Sequence, residues 1–246
     1  MTNKYMYFVA NWKMFGDLKS INSLDKVIKF SKSKEIKKGR MIYCPPYTLL
    51  CSFLKKFENC LIDIGAQNSH ESENYGSHTG FVNSKMLKNV GANYVILGHS
   101  ENRKKGESDK LINLKIKSAI KAKLKVILCI GETLSEKKKG KTKSILSKQI
   151  RLGLDKVKKK SNIFIAYEPI WSIGTGNIPS SQDLEQIIKF IKKNFKGKLP
   201  KVLYGGSVNP QNIIHLKKIL DLDGFLIGGA SQDPNKFIDI IKKTYN

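Results

Sequence analysis

The amino-acid sequence predicts an α/β protein in which eight parallel strands alternate with helices and close into a single (β/α)₈ barrel. Three observations support this. The length of 246 residues matches the roughly 250 that such a barrel needs. Short apolar runs rich in Ile, Val, Leu, Tyr and Phe recur eight times, as expected of strands buried on both faces. Helical apolar stripes lie between them with no long linker, which is the pattern of a parallel sheet. One domain over residues 1–246 is therefore expected. An open doubly wound sheet is the alternative architecture, but no GxGxxG follows the first run.

The predicted strands are Met6–Ala10, Arg40–Cys44, Leu61–Gly65, Tyr94–Leu97, Val126–Ile130, Ile163–Tyr167, Val202–Tyr204 and Gly224–Ile227. Among the helices, Leu146, Ile150, Leu154 and Val157 fall on one face, with Lys156, Lys158, Lys159 and Lys160 turned elsewhere. Leu184, Ile187, Ile188, Ile191 and Phe195 form a second stripe, with Ser180, Ser181 and Asp183 as capping candidates. Phe237, Ile240 and Ile241 follow Asp233-Pro234, a helix-start signal. The lysine-rich stretch Ser135–Lys143 reads as a solvated passage from loop to helix.

Composition narrows the function. Hydrophobic residues at 40% and charged residues at 26% are those of a globular chain. The net charge is +25, yet of the 45 basic residues only Arg40, Arg103 and Arg151 are arginine. Base reading favours arginine, and the lysines are spread over nearly every helix. Nucleic-acid binding is therefore the weaker reading, and a solvated surface of compositionally biased lysine the stronger, with steering of an anionic substrate as a secondary benefit. Cys44, Cys51, Cys60 and Cys129 lack metal-ligand or CxxC spacing, so reduced thiols in the cytoplasm are expected. No metal or organic cofactor motif is present. The opening Met1-Thr2-Asn3-Lys4-Tyr5 leads into an apolar run that ends at Ala10, too short for a secretory signal. No stretch reaches the roughly 18 apolar residues of a membrane span.

Barrel enzymes place their chemistry at the carboxyl ends of the strands. Asn11 and Lys13 follow the first run, His99 and Glu101 the fourth, Glu168-Pro169 the sixth, Gly205-Gly206-Ser207 the seventh and Gly228-Gly229 the eighth. Two glycine pairs after the last two strands suit a phosphate cradle, although each alone could be a tight turn. Pro169 biases Glu168 toward an extended backbone that holds its carboxylate over the mouth. Base, cation, imidazole and phosphate cradle suit proton abstraction beside a carbonyl.

These residues resemble a known family. Asn11-Trp12-Lys13-Met14, Ala66-Gln67-Asn68, Gly98-His99-Ser100-Glu101, Cys129-Ile130-Gly131-Glu132-Thr133, Ala166–Trp171, Gly174-Thr175-Gly176, Tyr204–Val208 and Gly224–Ser231 are similar to the motifs of triosephosphate isomerases, in order, from about Phe8 to Pro234. The resemblance implies interconversion of dihydroxyacetone phosphate and D-glyceraldehyde 3-phosphate through an enediolate, a step of glycolysis and gluconeogenesis that needs no cofactor. It implies Glu168 as general base and His99 as a neutral imidazole electrophile. Lys13 would offset oxyanion charge, Asn11 would orient the substrate, and Glu101 would be a second carboxylate near the lysine and histidine. Phosphate would bind Gly174, Ser207, Gly228 and Gly229. Pro169, Ile170, Trp171, Ser172, Ile173, Gly174, Thr175 and Gly176 would form a mobile lid.

The resemblance further implies a homodimer whose Tyr75–Asn83 loop carries Thr79 toward the partner's site. Departures from the family pattern are Ser172 in place of alanine, Phe81 and Asn102 in place of a charged pair, His78 in place of an aromatic residue, and one residue fewer after Arg103.

Overall fold

The computed structural model describes residues 4–33, 36, 38–197 and 199–246. Met1, Thr2 and Asn3, where the expectation about a leader segment falls, lie outside them. The strands are β1 (Met6–Asn11), β2 (Gly39–Cys44), β3 (Ile62–Ala66), β4 (Tyr94–Leu97), β5 (Lys125–Ile130), β6 (Ile163–Tyr167), β7 (Lys201–Tyr204) and β8 (Gly224–Ile227). All pairs are parallel, and β1 joins both β2 and β8, so the sheet is a closed barrel. The register sets Asn11 beside Cys44, Ala10 beside Ile227, and Tyr167 beside Tyr204 and Ile130. An open doubly wound sheet is thereby ruled out.

Alternation along the strands divides the core into two layers. Val9, Ile42, Cys44, Tyr94, Ile96, Ile127, Cys129, Phe164, Ala166, Leu203 and Leu226 fill the barrel interior. Phe8, Ala10, Met41, Tyr43, Val95, Leu97, Leu128, Ile165, Tyr204 and Phe225 pack outward in the larger cluster shared with the helices. Two residues beyond the last interior side chain, the same series gives Asn11, Pro46, Gly98, Gly131, Glu168, Gly205 and Gly228 on seven of the strands or just past them. Four of these seven are glycine, so the mouth is left open where the layer below is filled.

The helices are α1 (Asp25–Ser31), α2 (Leu50–Lys56), α3 (Ser84–Asn89), α4 (Ser100–Lys104), α5 (Asp109–Lys121), α6 (Leu134–Lys138), α7 (Thr142–Gly153), α8 (Ser181–Lys193), α9 (Ile213–Leu216) and α10 (Pro234–Tyr245). Ser180 caps α8 by accepting the Asp183 N–H, and Asp233 caps α10 with Pro234 in its first turn. Leu146 and Ile150 of α7, Leu184, Ile188 and Ile191 of α8, and Phe237, Ile240 and Ile241 of α10 are buried. Each such side chain contributes about 1.5–3 kcal/mol.

Three details differ from the sequence expectation. Leu154, Val157 and Phe195 are buried but lie beyond the ends of α7 and α8, because an apolar stripe records burial and not helical hydrogen bonding. Leu61 is 68% exposed and precedes β3. Most of the Ser135–Lys143 stretch is helical rather than loop, since Thr133 and Glu136 form a capping box that starts α6.

At the amino-terminal end of the barrel, Asp223 gathers positive charge from three directions. It is 3% exposed, accepts the Val202 N–H at 2.9 Å, and faces Lys192 at 3.1 Å, Lys201 at 3.4 Å and Lys4 at 3.6 Å. Replacing it by alanine leaves a buried amide without its acceptor and three ammonium groups repelling each other. Asp223→Ala is expected to lower unfolding free energy in urea by about 3 kcal/mol; a change under about 1 kcal/mol would show that the lysines do not depend on it.

Candidate active site

Asn11 is the last residue of β1 and takes the inward direction of Val9 two positions earlier. The chain then turns through Lys13, whose φ of 55° lies in the left-handed region that costs a residue with a Cβ. The surroundings hold this conformation on both sides. The Lys13 N–H donates to Asn11 Oδ1 at 3.1 Å, and the Lys13 carbonyl accepts from Gln67 Nε2 at 2.8 Å. Trp12, 2% exposed, anchors the turn by donating to the Ser231 carbonyl at 3.1 Å. The ammonium reaches Glu101 Oε1 at 2.7 Å. Burial pushes the Glu101 carboxyl up, but Lys13 and His99 outweigh it and leave it below the usual carboxylate value.

His99 is the residue just before α4. Arg103 braces this turn, donating to the Gly98 carbonyl at 2.7 Å and the Cys129 carbonyl at 3.2 Å while pairing with Asp109 at 2.6 Å. His99 Nδ1 accepts the Glu101 backbone N–H at 3.3 Å. A ring nitrogen that accepts carries no hydrogen, so this contact assigns the hydrogen to Nε2. His99 Nε2 in turn lies 3.3 Å from Glu168 Oε1.

Glu168 is 2% exposed and continues the inward series of Phe164 and Ala166. Its N–H donates to the Ile130 carbonyl at 2.8 Å. Burial raises its pKa above the carboxylate norm, opposed by His99, the Ser100 N–H, the Cys129 thiol and Lys13. Two glycines admit it. A Cβ at Gly205 would sit 2.8 Å from Glu168 Cγ, and one at Gly131 would collide with the Glu168 carbonyl oxygen.

Asn11, Lys13, His99, Glu168, Ile173, Gly174, Gly176, Gly205, Ser207, Gly228 and Gly229 line one cavity of about 360 Å³. The sequence-predicted base, cation, imidazole and glycine pairs therefore meet at one mouth. Glu101 lies instead on an adjoining cavity of about 610 Å³ that also touches Asn11, Lys13 and His99. Thr79 is exposed and lines neither cavity. Among the described residues no cluster of His, Cys, Asp and Glu could hold a metal ion.

The match extends to the whole chain. A family model described as triosephosphate isomerase covers residues 6–244. The chain belongs to the triosephosphate isomerase family. The triosephosphate isomerase of Thermodesulfovibrio yellowstonii is 42% identical, with 96% of this chain and 98% of that protein covered. The one from Aquifex aeolicus is 39% identical, with 94% and 96% covered. A crystal structure of triosephosphate isomerase from Bartonella henselae superposes with a TM-score of 0.85 at 34% identity, covering 96% of this chain and 97% of that one.

Around the segment that the triosephosphate isomerase resemblance marks as a lid, the structure adds partners with no individual sequence signal. Glu132, 1% exposed, accepts from Trp171 Nε1 at 2.9 Å and from the Tyr167 phenol at 3.2 Å, and Lys137 lies 3.7 Å over the Trp171 ring. Gln67, Gly131 and Cys129 also act through neighbours distant in sequence. Only their membership in matched motifs pointed to them.

Gly131 carries the sharpest consequence. Gly131→Ala must displace the Glu168 backbone, and a shift of about 1 Å costs roughly 10²-fold in rate. The expected result is a folded enzyme with kcat lowered by about that factor; unchanged kcat would show that the two backbones can separate freely.

Proposed function

We propose that this enzyme interconverts dihydroxyacetone phosphate and D-glyceraldehyde 3-phosphate, with Glu168 moving the proton between C1 and C2 of an enediolate. The observation that carries this is the facing of the Glu168 carboxylate and His99 Nε2 at 3.3 Å beside Lys13 and the glycine-lined cavity. The Glu168 carboxylate takes the proton from C1. Its burial raises its basicity, which favours the transfer. As electrons move onto the carbonyl oxygen, the His99 Nε2–H donates to it, and the nearby Lys13 ammonium offsets the charge. His99 passes a proton from the C1 oxygen to the C2 oxygen of the enediolate, leaving a carbonyl at C1 and a hydroxyl at C2, and Glu168 returns its proton to carbon C2. Asn11 orients the substrate, and Glu101 holds Lys13 by its 2.7 Å ion pair.

The phosphate lies against the backbone N–H groups of Gly174, Ser207, Gly228 and Gly229, where absent or short side chains permit close approach. Pro169–Gly176 closes over it as a lid. Water would let the enediolate expel phosphate, and exclusion of water also strengthens the electrostatics. Gly174 and Gly176 have φ of 73° and 80° with open space where a Cβ would be, so the tip bends at little steric cost. The reaction moves only protons and takes no cofactor.

The active form is a homodimer. Met14, Phe15, Tyr75 and Phe81 are 95%, 59%, 62% and 63% exposed, and Met14 and Phe81 border the larger cavity beside the site. Apolar exposure of this kind marks an interface. The Tyr75–Asn83 loop would bring Thr79 toward the partner's site, with Phe81 and Asn102 meeting there without charge. The His78 ring stacks 4.3 Å from His70 within the same loop region. The place of action is the cytoplasm, in glycolysis and gluconeogenesis. All four cysteines are free thiols, and among the described residues no helix is long and apolar enough to cross a membrane. The +25 charge is that of a lysine-biased surface, whose positive field also steers a dianionic substrate, and nucleic acid is not its partner.

Glu168→Gln removes the base but keeps the shape. It is expected to lower kcat by at least about 10³-fold in an assay without added cofactor, with the Kd for inorganic phosphate held within about threefold. Near-normal turnover would remove Glu168 from its role. Sedimentation at micromolar protein is expected to give about twice the chain mass; a fully active monomer would refute the dimer.

A further inference from the structure

Ser172 is completely buried, and the reaction scheme leaves its hydroxyl without a task. That hydroxyl meets three polar groups. The Asn177 carbonyl lies at 2.5 Å, the Tyr204 phenol at 2.9 Å and the Ser207 backbone N–H at 3.3 Å. A hydroxyl has one hydrogen and two lone pairs. The carbonyl can only accept and the amide can only donate. The hydrogen therefore goes to Asn177, and the remaining lone pair takes the hydrogen of Tyr204. Every bonding position of Ser172 Oγ is filled. Gly206 makes this close approach possible, since a Cβ there would sit 2.6 Å from Ser172 Oγ.

The three partners have different places in the fold. Asn177 follows the lid segment, Tyr204 ends β7, and Ser207 offers its amide at the rim of the small cavity. One lid hydroxyl thus holds the same N–H that the proposed cradle presents to phosphate. We propose that Ser172 is a positioning residue that competes with phosphate for the cradle: its hydroxyl holds the Ser207 amide in the free enzyme, and a phosphate oxygen takes over that amide and displaces the hydroxyl. This rests on the cradle and lid reading above.

The sign of the competition follows from counting bonds. In Ser172→Ala the free protein lacks three hydrogen bonds. The phosphate-bound protein lacks at most two, because its Ser207 amide is on the ligand. The free state is therefore raised more than the bound state, and a ligand gains by that difference. The experiment is titration of the full-length enzyme with inorganic phosphate, followed by calorimetry and by amide resonances. Ser172→Ala is expected to tighten phosphate Kd about 3- to 10-fold. KM should fall in parallel with the phosphate Kd. Ser172→Cys adds a little volume and leaves only a weak acceptor, so it should move Kd in the same direction by less. It also serves if the alanine variant does not fold. Tyr204→Phe removes the phenol donor but spares the Ser172–Ser207 contact, and should leave Kd within about twofold.

A purely structural role for Ser172 would lower Tm without tightening phosphate. If phosphate shifts the Ser207, Gly228 and Gly229 amides of the wild-type enzyme, yet Kd is unchanged or weaker in both Ser172 variants, the competition is refuted and the cradle stands. If phosphate leaves those amides unmoved in the wild-type enzyme, the cradle assignment fails and the competition with it.

Discussion

A carboxylate buried at the top of a closed barrel is the constraint around which the rim is arranged. Glu168 is 2% exposed, and a charge in that position is costly unless donors and cations converge on it. The convergence comes from three other strands: His99 and the Ser100 N–H after β4, the Cys129 thiol on β5, and Lys13 after β1. Side chains at the next inward positions, just past β5 and β7, would displace Glu168 from these partners by meeting its backbone and its side chain. Gly131 and Gly205 remove those side chains, one to admit the Glu168 backbone and the other its side chain. The same run of inward glycines leaves the space that a ligand would occupy.

Acidic groups are scarce, and those that are ion-paired hold particular parts of the fold together. With 20 Asp and Glu against 45 Lys and Arg, several carboxylates join segments distant in sequence. Glu101 ties Lys13 to the end of β4, and Asp63 binds Arg40 at 2.6 Å across neighbouring strands. Asp109 holds Arg103 at the turn that presents His99, and Glu107 pairs with Lys115, which also donates to Asn68. Glu132 does the same for Trp171 at the lid. Most lysines are left for the solvated surface, where they add long-range field and little to the fold.

The lid and the phosphate rim share a small polar network. Ser172 joins them through one hydroxyl, and Trp171 leans the other way onto Glu132 and Lys137. The segment is therefore held by hydrogen bonds on two sides, three of them at Ser172 Oγ, and by a ring contact at Trp171. Bonds of this kind exchange at modest cost. That is the energetic scale the proposed lid motion requires.

Local pattern by itself determined the strand–helix alternation, the eight strands to within a residue or two, the caps at Ser180 and Asp233, and the strand ends that carry Asn11, Lys13, His99, Glu168, Ser207 and the two glycine pairs. These depend on periodicity and on residue types within a few positions, which the chain order preserves. The matched motifs marked Gly131, Glu132 and Gln67 without saying what they do. Only the tertiary structure decided that Gly131 backs onto Glu168, that Gln67 grips the strained Lys13 carbonyl, that Asp223 collects three lysines, and that Ser172 covers the Ser207 amide. It also decided that Phe195 and Val157 are buried outside helices. Each of these is a contact between segments tens to hundreds of residues apart. Their distances are set by barrel closure and register, which no single stretch of sequence encodes.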